Sequence, residues 1–296
     1  DGNWHKEYSV IIDTFDLPLR YDFEHYELNE TGKYQVFFEE TQGTALFKQY
    51  IWASGNSGFA LTGVGRNPQE YPTVSIENGI DGSRAIKLET KSTGQFGETV
   101  KMPIAAGNLF LGSFDVNNAV QKPLKATRFG LPFGKKPLQL KGYYKYTPGT
   151  QPFKAKDKNG NTVTIPGQED EGDIYAVLYE AAELDGKALD GNNVLTSENI
   201  VALARVEVEK KDEFTAFHVD FHYGSRIPID WPKFIQDQRD PSDDGTAPYL
   251  SFSEEKMKNY EYNLAVVFTS SKYGAYFAGS VGSTLCIDKV EIVCEK

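Results

Sequence analysis

The apolar positions of this chain predict strands almost everywhere. Two β-branched runs near the C-terminus, 264–268 and 285–293, are each long enough for a strand and too short for a helix. The Gly-, Ser- and Tyr-rich stretch between them supplies turn chemistry. The segment therefore reads as strand, exposed loop, strand. In the second run Asp288 and Lys289 interrupt the alternation, so that Leu285 and Ile287 face one side and Val290 and Ile292 the other. Such a parity switch predicts a β-bulge or a polar site beside the strand.

Earlier in the chain the same patterns recur. Residues 1–14 carry one short strand-like run at 8–12 and read as a tether or leading segment, with the domain proper at 15–296. Two alternating segments, LRYDFEHYEL and KYQVFFEE, are joined by NETG, which predicts a hairpin. Residues 50–59 set Trp52 beside a Ser-Gly-Asn tip, and 84–101 alternates again. Apolar strands at 107–114 and 127–133 are separated by the polar loop VNNAVQKPLK. In KGYYKY at 141–146, Tyr144 and Tyr146 share one face and Tyr143 and Lys145 the other, so one pair is core and the other wet or ligand-facing. Residues 154–172 are polar and turn-rich, a surface excursion. The nearly continuous apolar run at 173–181 suits a central strand covered on both faces. At 214–224, Phe217, Val219 and Phe221 alternate with His218, Asp220 and His222. Helix is scarce: only SEEKMKN at 253–259, Ser followed by Glu, suits one or two turns. Many short strands with 27 glycines and 14 prolines predict an all-β fold, although pattern alone does not separate a sandwich from a closed barrel.

Composition narrows this to one elaborated domain rather than two: 296 residues, 40% hydrophobic and 13% aromatic, supply a large core. A net charge of −11 disfavours nucleic acid and anionic membranes as partners. No run approaches the roughly 18 apolar residues of a transmembrane segment, and a chain opening on Asp1 rather than Met implies a targeting segment already removed. Cys286 and Cys294 would lie about 26 Å apart along an ideal strand, so they are not expected to bond to each other.

Standard catalytic signatures are missing: no GxSxG, GxxxxGK[ST], GxGxxG, HExxH or CxxC occurs. Glycoside hydrolysis needs only two suitably spaced carboxylates, and Asp173, Glu180, Asp220 and Glu89 lie on or beside predicted strands. The row His218, Asp220, His222 is compatible with zinc, yet a solvent-facing strand puts polar residues at alternate positions as routine. Asp240, Asp243 and Asp244 lack the spacing of an EF-hand loop.

The run SSKYGAYFAGSVGSTLCIDKVEI at 270–292 resembles the end of the PCMD family, the "putative carbohydrate metabolism domain" of surface proteins of gut Bacteroidetes. DFE at 22–24, WASGNSGF at 52–59, IAAGNLFLGSF at 104–114, RFGLPF at 128–133, LKGYYKYTPG at 140–149 and DIYAVLYE at 173–180 agree in order. The resemblance implies a jelly-roll β-sandwich like that of carbohydrate-binding modules. It also implies an exported protein at the cell surface or in the periplasm, lipid-anchored outside the residues shown.

Sugar recognition takes aromatic plates for the CH face and polar groups for the hydroxyl rim. The expected ligand-binding residues are Trp52 and Asn56, Tyr144 and Tyr146, and Tyr273 and Tyr276, with Trp231 as the next platform should these be buried. Three readings stay open: a non-catalytic carbohydrate-binding or glycan-utilisation accessory protein, a glycoside hydrolase, and a cell-surface adhesion or scaffold protein that binds other surface proteins. One structural calcium is a further expectation. Galactose-binding-like modules hold it between the first and last strands, and this chain is similar at Phe23–Glu24 and 287–290, making Glu24 and Asp288 the candidate ligands. Lys289 stands where a second acid belongs, and the alternative is no metal, with Lys289 paired to Glu24 or Asp288.

Overall fold

The computed structural model describes residues 16–41, 47–181, 188–239 and 245–296; the expected strand at 8–12 and Asp240, Asp243 and Asp244 lie outside them. Ten strands carry the architecture: β1 (Thr73–Ile76), β2 (Ala85–Glu89), β3 (Asn108–Phe114), β4 (Thr127–Phe129), β5 (Pro137–Thr147), β6 (Asp173–Glu180), β7 (Ile200–Val206), β8 (Lys211–Asp220), β9 (Tyr262–Thr269) and β10 (Thr284–Cys294). Among the described residues they form two large antiparallel sheets. One runs β8-β5-β10-β2-β1, and Arg20–Tyr21 also pairs with β10; the other runs β4-β3-β9-β6-β7, extended by the short strands Leu189–Asp190 and His222–Tyr223. Trp52–Ala53 pairs with β3, and Leu131–Pro132 with β9. Strands distant in the chain are neighbours, β5 with β10 and β3 with β9, as the crossing connections of a jelly roll require.

Alternation explains why the sheets stack. Leu140, Tyr144 and Tyr146 of β5 and Leu285, Ile287, Val290 and Ile292 of β10 meet Leu109 and Leu111 of β3, Ile174, Ala176 and Leu178 of β6, and Leu264, Val266 and Phe268 of β9. Each such Leu, Ile, Val or Phe side chain, once fully buried, contributes about 1.5–3 kcal/mol of transfer free energy. The predicted strands at 264–268 and 285–293 are both there, the second in the middle of its sheet.

The parity switch in β10 resolves differently from its simplest reading. Pairing with β5 slips between Lys141 opposite Glu291 and Tyr143 opposite Asp288, and Lys289 adopts a φ of 47°. The extra residue restores parity, so Leu285, Ile287, Val290 and Ile292 all enter one core cluster instead of facing opposite sides. Beside the bulge Asp288 is fully buried. Its Oδ2 accepts from the Ile80 amide (2.6 Å) and the Ser83 hydroxyl (2.9 Å), and its Oδ1 from the Lys289 amide (2.7 Å).

Several local expectations change. The NETG turn does close a hairpin, Tyr26–Leu28 with Gln35–Phe37, where Asn29 Oδ1 accepts from the amides of Lys33 and Tyr34. That hairpin forms its own ladder rather than joining a core sheet. Within 84–101 only the first half is extended; Gly94, with φ 62°, turns the chain into the helix Gly94–Thr99. The Ser-Gly-Asn tip leads, with Gly55 at the N-cap, into the one-turn helix Asn56–Ala60. Ser253 caps Glu254–Lys258 by accepting from the Lys256 amide, as its sequence predicts. Cys286 and Cys294 are unbonded.

Candidate functional site

The second sheet has an outer face as apolar as its inner one, and the chain folds back over it. Because β6 is buried at every position, its odd-numbered residues need cover on that outer side. Register builds the floor of a cleft there: Arg205, Tyr175, Val267 and Phe110 form one cross-strand row over β7, β6, β9 and β3. A second row places Asp173, Thr269 and Asn108 side by side. Phe129 stands edge-on to Phe110 with ring centroids 4.9 Å apart. The cleft encloses about 200 Å³.

Its polarity is graded. Asp173, Arg205, Arg239 and Lys272 are the charged lining residues. Arg205 grips Asp173 with both forks, Nε to Oδ1 at 3.0 Å and an Nη to Oδ2 at 2.6 Å. Burial works against the Arg205 charge, but the adjacent Asp173 carboxylate outweighs it and holds the guanidinium above its ordinary value. The Arg239 guanidinium lies 4.2 Å from the Trp231 ring centroid and donates to the Tyr276 hydroxyl (3.0 Å). Lys272 pairs with Glu171 at 2.8 Å. The lining from β3, β4 and the loops around them is mostly apolar, with Val100, Met102, Phe114, Val120 and Pro123 beside Phe110 and Phe129, and includes the polar side chains of Asn108 and Thr127.

Four of the six expected ligand residues are in the interior. Trp52 is 4% exposed, donates from Nε1 to Glu39 (2.8 Å) and packs against Tyr21 and Phe23. Asn56 is fully buried, accepting from the Thr73 amide and donating to the Thr73 carbonyl. Tyr144 and Tyr146 take the core face of β5, so their hydroxyls serve the backbone: Tyr144 accepts from the Glu209 amide and Tyr146 donates to the Ser270 carbonyl. These four side chains are enclosed by protein and lie outside the cleft lining. Tyr276 lines the cleft although only 8% exposed, and half-buried Tyr273 touches Trp231. Trp231, the fallback platform, lines the cleft directly and is half-buried.

Each carboxylate weighed for catalysis has its own protein donor. Glu180 pairs with Lys256, Glu89 lies between Lys87 (3.0 Å) and Lys91 (2.6 Å), and exposed Asp220 accepts from Gln139 (2.7 Å). Asp173 lines the cleft; Glu180, Asp220 and Glu89 do not. His218 and His222 point to solvent, His222 bonding Ser225. Among the described residues no three His, Cys, Asp or Glu side chains gather into a metal-binding group. Glu24 accepts from the Arg84 amide (3.0 Å), and Lys289 pairs with Asp81 (3.1 Å) rather than with Glu24 or Asp288.

Sequence reasoning missed Arg205 and Arg239, which come from a strand and a loop with no local signal in common. It also read Asp170, within GQEDEG, as surface, whereas it is 3% exposed behind the cleft wall and bonded to Ser271.

The family model described as "Putative carbohydrate metabolism domain" matches residues 22–293. A crystal structure described as "a putative glycoside hydrolase" from Bacteroides thetaiotaomicron aligns with a TM-score of 0.76 at 41% identity, covering 95% of this chain and 72% of that one. Another so described, from Bacteroides vulgatus, aligns with a TM-score of 0.75 at 34% identity, covering 95% of this chain and 100% of that one. A family 11 carbohydrate-binding module of Clostridium thermocellum aligns over 75% of this chain and 81% of its own at 8% identity and a TM-score of 0.33, a distance that bears on neither ligand nor activity. The comparison with curated proteins finds no match.

Proposed function

The chain belongs to the "putative carbohydrate metabolism domain" family, and from that membership we propose that it is a non-catalytic glycan-binding protein of a surface polysaccharide-utilisation system, with the cleft beside Trp231 as its site. The observation that carries this is the coincidence, at one end of the cleft, of an aromatic plate with an array of donors. Trp231 supplies the plate, and Arg239, Lys272 and the Asp173–Arg205 pair supply polar groups for sugar hydroxyls. Export and lipid anchoring belong to this reading. Among the described residues no helix is long and apolar enough to cross a membrane.

A second reading, hydrolysis, draws on the descriptions of the two Bacteroides relatives. It needs an acid and a second carboxylate separated by roughly 5–9.5 Å. Asp173, the carboxylate on the cleft wall, has both oxygens engaged by Arg205, which leaves it poorly suited to either role.

A glycan array followed by titration calorimetry tests the proposal. Saturable binding to at least one polysaccharide is expected, reduced at least tenfold by Trp231→Ala, with no reducing ends released over long incubation. Binding indifferent to that substitution would overturn the site, and steady release of reducing ends would overturn the non-catalytic reading.

A further inference from the structure

We propose that the apolar half of the cleft is a subsite for an aromatic acyl group esterified to the glycan, so that the protein selects substituted over bare polysaccharide. The inference rests on the cleft being a glycan site and names the decoration it would select.

Size comes first. A cavity of roughly 150 Å³ lined by apolar side chains is enough to hold one benzene ring, and drug-sized ligands occupy about 300–1,000 Å³. At about 200 Å³ the enclosed part of this cleft has room for one ring-sized group and its linker, so the glycan chain that carries it would run along the open rim beside Trp231.

The lining then selects the chemistry of that group. With Phe110 and Phe129 the lining counts Val100, Met102, Phe114 and Val120, against a few polar side chains such as Thr93, Thr127 and Asn192. A hydroxyl carried there without a partner costs about 1–3 kcal/mol, and a pyranose carries more hydroxyls than these few groups can serve, so a bare sugar is disfavoured in this half. An aryl group meets the opposite situation. The Phe110 and Phe129 rings are themselves buried against one another, but exposed Phe96 and half-buried Phe114 offer a third ring their faces and edges, and the Met102 thioether adapts to its outline. Gly58 lets the Phe114 ring and the Ala119 methyl pack close against its backbone: a Cβ there would lie 3.1 Å from the ring and 3.5 Å from the methyl. Phe96, which lines the cleft and is 39% exposed, makes the lip apolar as well.

Distance links the two halves. From Arg205 on β7 to Phe110 on β3 the floor crosses three strand spacings, about 14 Å at about 4.8 Å each. That span accommodates an arylacyl group at one end and the sugar it esterifies at the other, beside Trp231.

Calorimetry on the full chain tests this with three probes: methyl ferulate, a feruloylated arabinoxylo-oligosaccharide and the same oligosaccharide without the ester. Methyl ferulate should bind saturably by itself, and the feruloylated oligosaccharide at least tenfold more tightly than the bare one. Ala119→Trp, which fills the chamber from a surface turn, should abolish methyl ferulate binding and bring the two oligosaccharides to equal affinity. Val120→Trp serves the same purpose if the first variant does not fold. No methyl ferulate binding, or equal affinities in the unmodified chain, overturns the inference. If the bare oligosaccharide still binds in a Trp231-dependent way, the glycan reading survives that failure. Methyl ferulate binding abolished by Ala119→Trp, with neither oligosaccharide bound, leaves an aryl chamber without a glycan and overturns both the inference and the glycan reading.

Discussion

Asp170 and Asp173 lie three residues apart, each 3% exposed, and the protein stabilises them in opposite ways. Asp170 has neutral donors around it. Its Oδ2 accepts from the hydroxyls of Ser271 (2.6 Å) and Ser283 (2.7 Å) and the Ser280 amide (2.8 Å), and its Oδ1 accepts from the Glu171 amide (3.0 Å). Burial outweighs these bonds and pushes its carboxyl up to about 6. Gly279 is required beside it, because a Cβ there would come within 2.9 Å of Oδ2. Through Ser271 and Thr90 this cage ties the end of β9 to the chain just beyond β2, locking one sheet to the other. Asp173 instead faces a guanidinium on the cleft floor. Two of the five donors of that guanidinium hold the carboxylate, and a cation–anion pair bordering solvent can lend hydrogen bonds to a ligand. A cage of neutral dipoles makes a joint; a charge pair at a cavity makes a recognition element.

The largest expected effect comes from breaking the pair. Arg205→Ala leaves Asp173 buried without its counter-ion and should lower the unfolding free energy by about 4 kcal/mol in denaturant titration. A loss below about 1 kcal/mol would mean that Asp173 is neutralised by something else. Asp170→Ala follows at about 3 kcal/mol, since the Ser280 amide and two serine hydroxyls lose their acceptor together. If both variants unfold alike yet only Arg205→Ala changes glycan affinity, the division into joint and recognition element holds; an affinity loss in Asp170→Ala with stability intact would break it.

A smaller effect concerns pH. Glu39 is a third buried acid, with the Trp52 indole as donor, and burial raises it from the ordinary range to about 7. The native state therefore binds this proton more tightly than the unfolded chain. The contribution is complete below about pH 4.5 and is lost as pH rises through about 7. Against Glu39→Gln, which cannot titrate, the unmodified chain should lose stability steadily over that window; parallel pH profiles would refute the assignment. The smallest effect is expected from a chelator. Asp288 repeats the Asp170 solution, with neutral donors on both oxygens, so its melting midpoint should stay unchanged by EDTA. A midpoint raised by calcium would instead assign the ion to Glu24 and Asp288.

Strand content, the C-terminal pair, the bulge and the capped turn at 254–258 were legible because each depends on alternation or on residues adjacent in sequence. The covered strand β6 was equally legible from its unbroken apolar run. The candidate site was not. Trp52 beside Ser, Gly and Asn has the composition of an exposed tip, yet Glu39, Tyr21 and Phe23, all distant in sequence, enclose it. Trp231, between Asp230 and Pro232, stays half-buried although it packs against the outer-face cluster of the second sheet, and its neighbours do not distinguish it from Trp52 in that respect.

Alternation and turn chemistry determined that this chain folds as an all-β protein, since a period of two and a φ-permissive residue act within a few positions. Family resemblance, carried by continuous stretches, was legible for the same reason. Which face of the second sheet bears the cleft was decided only by tertiary structure. β6 is apolar on both sides, and the choice lies in what β7, β9 and the loops at 114–126 and 271–277 bring against each side. A cavity exists where distant segments fail to fill space, and no local pattern records that.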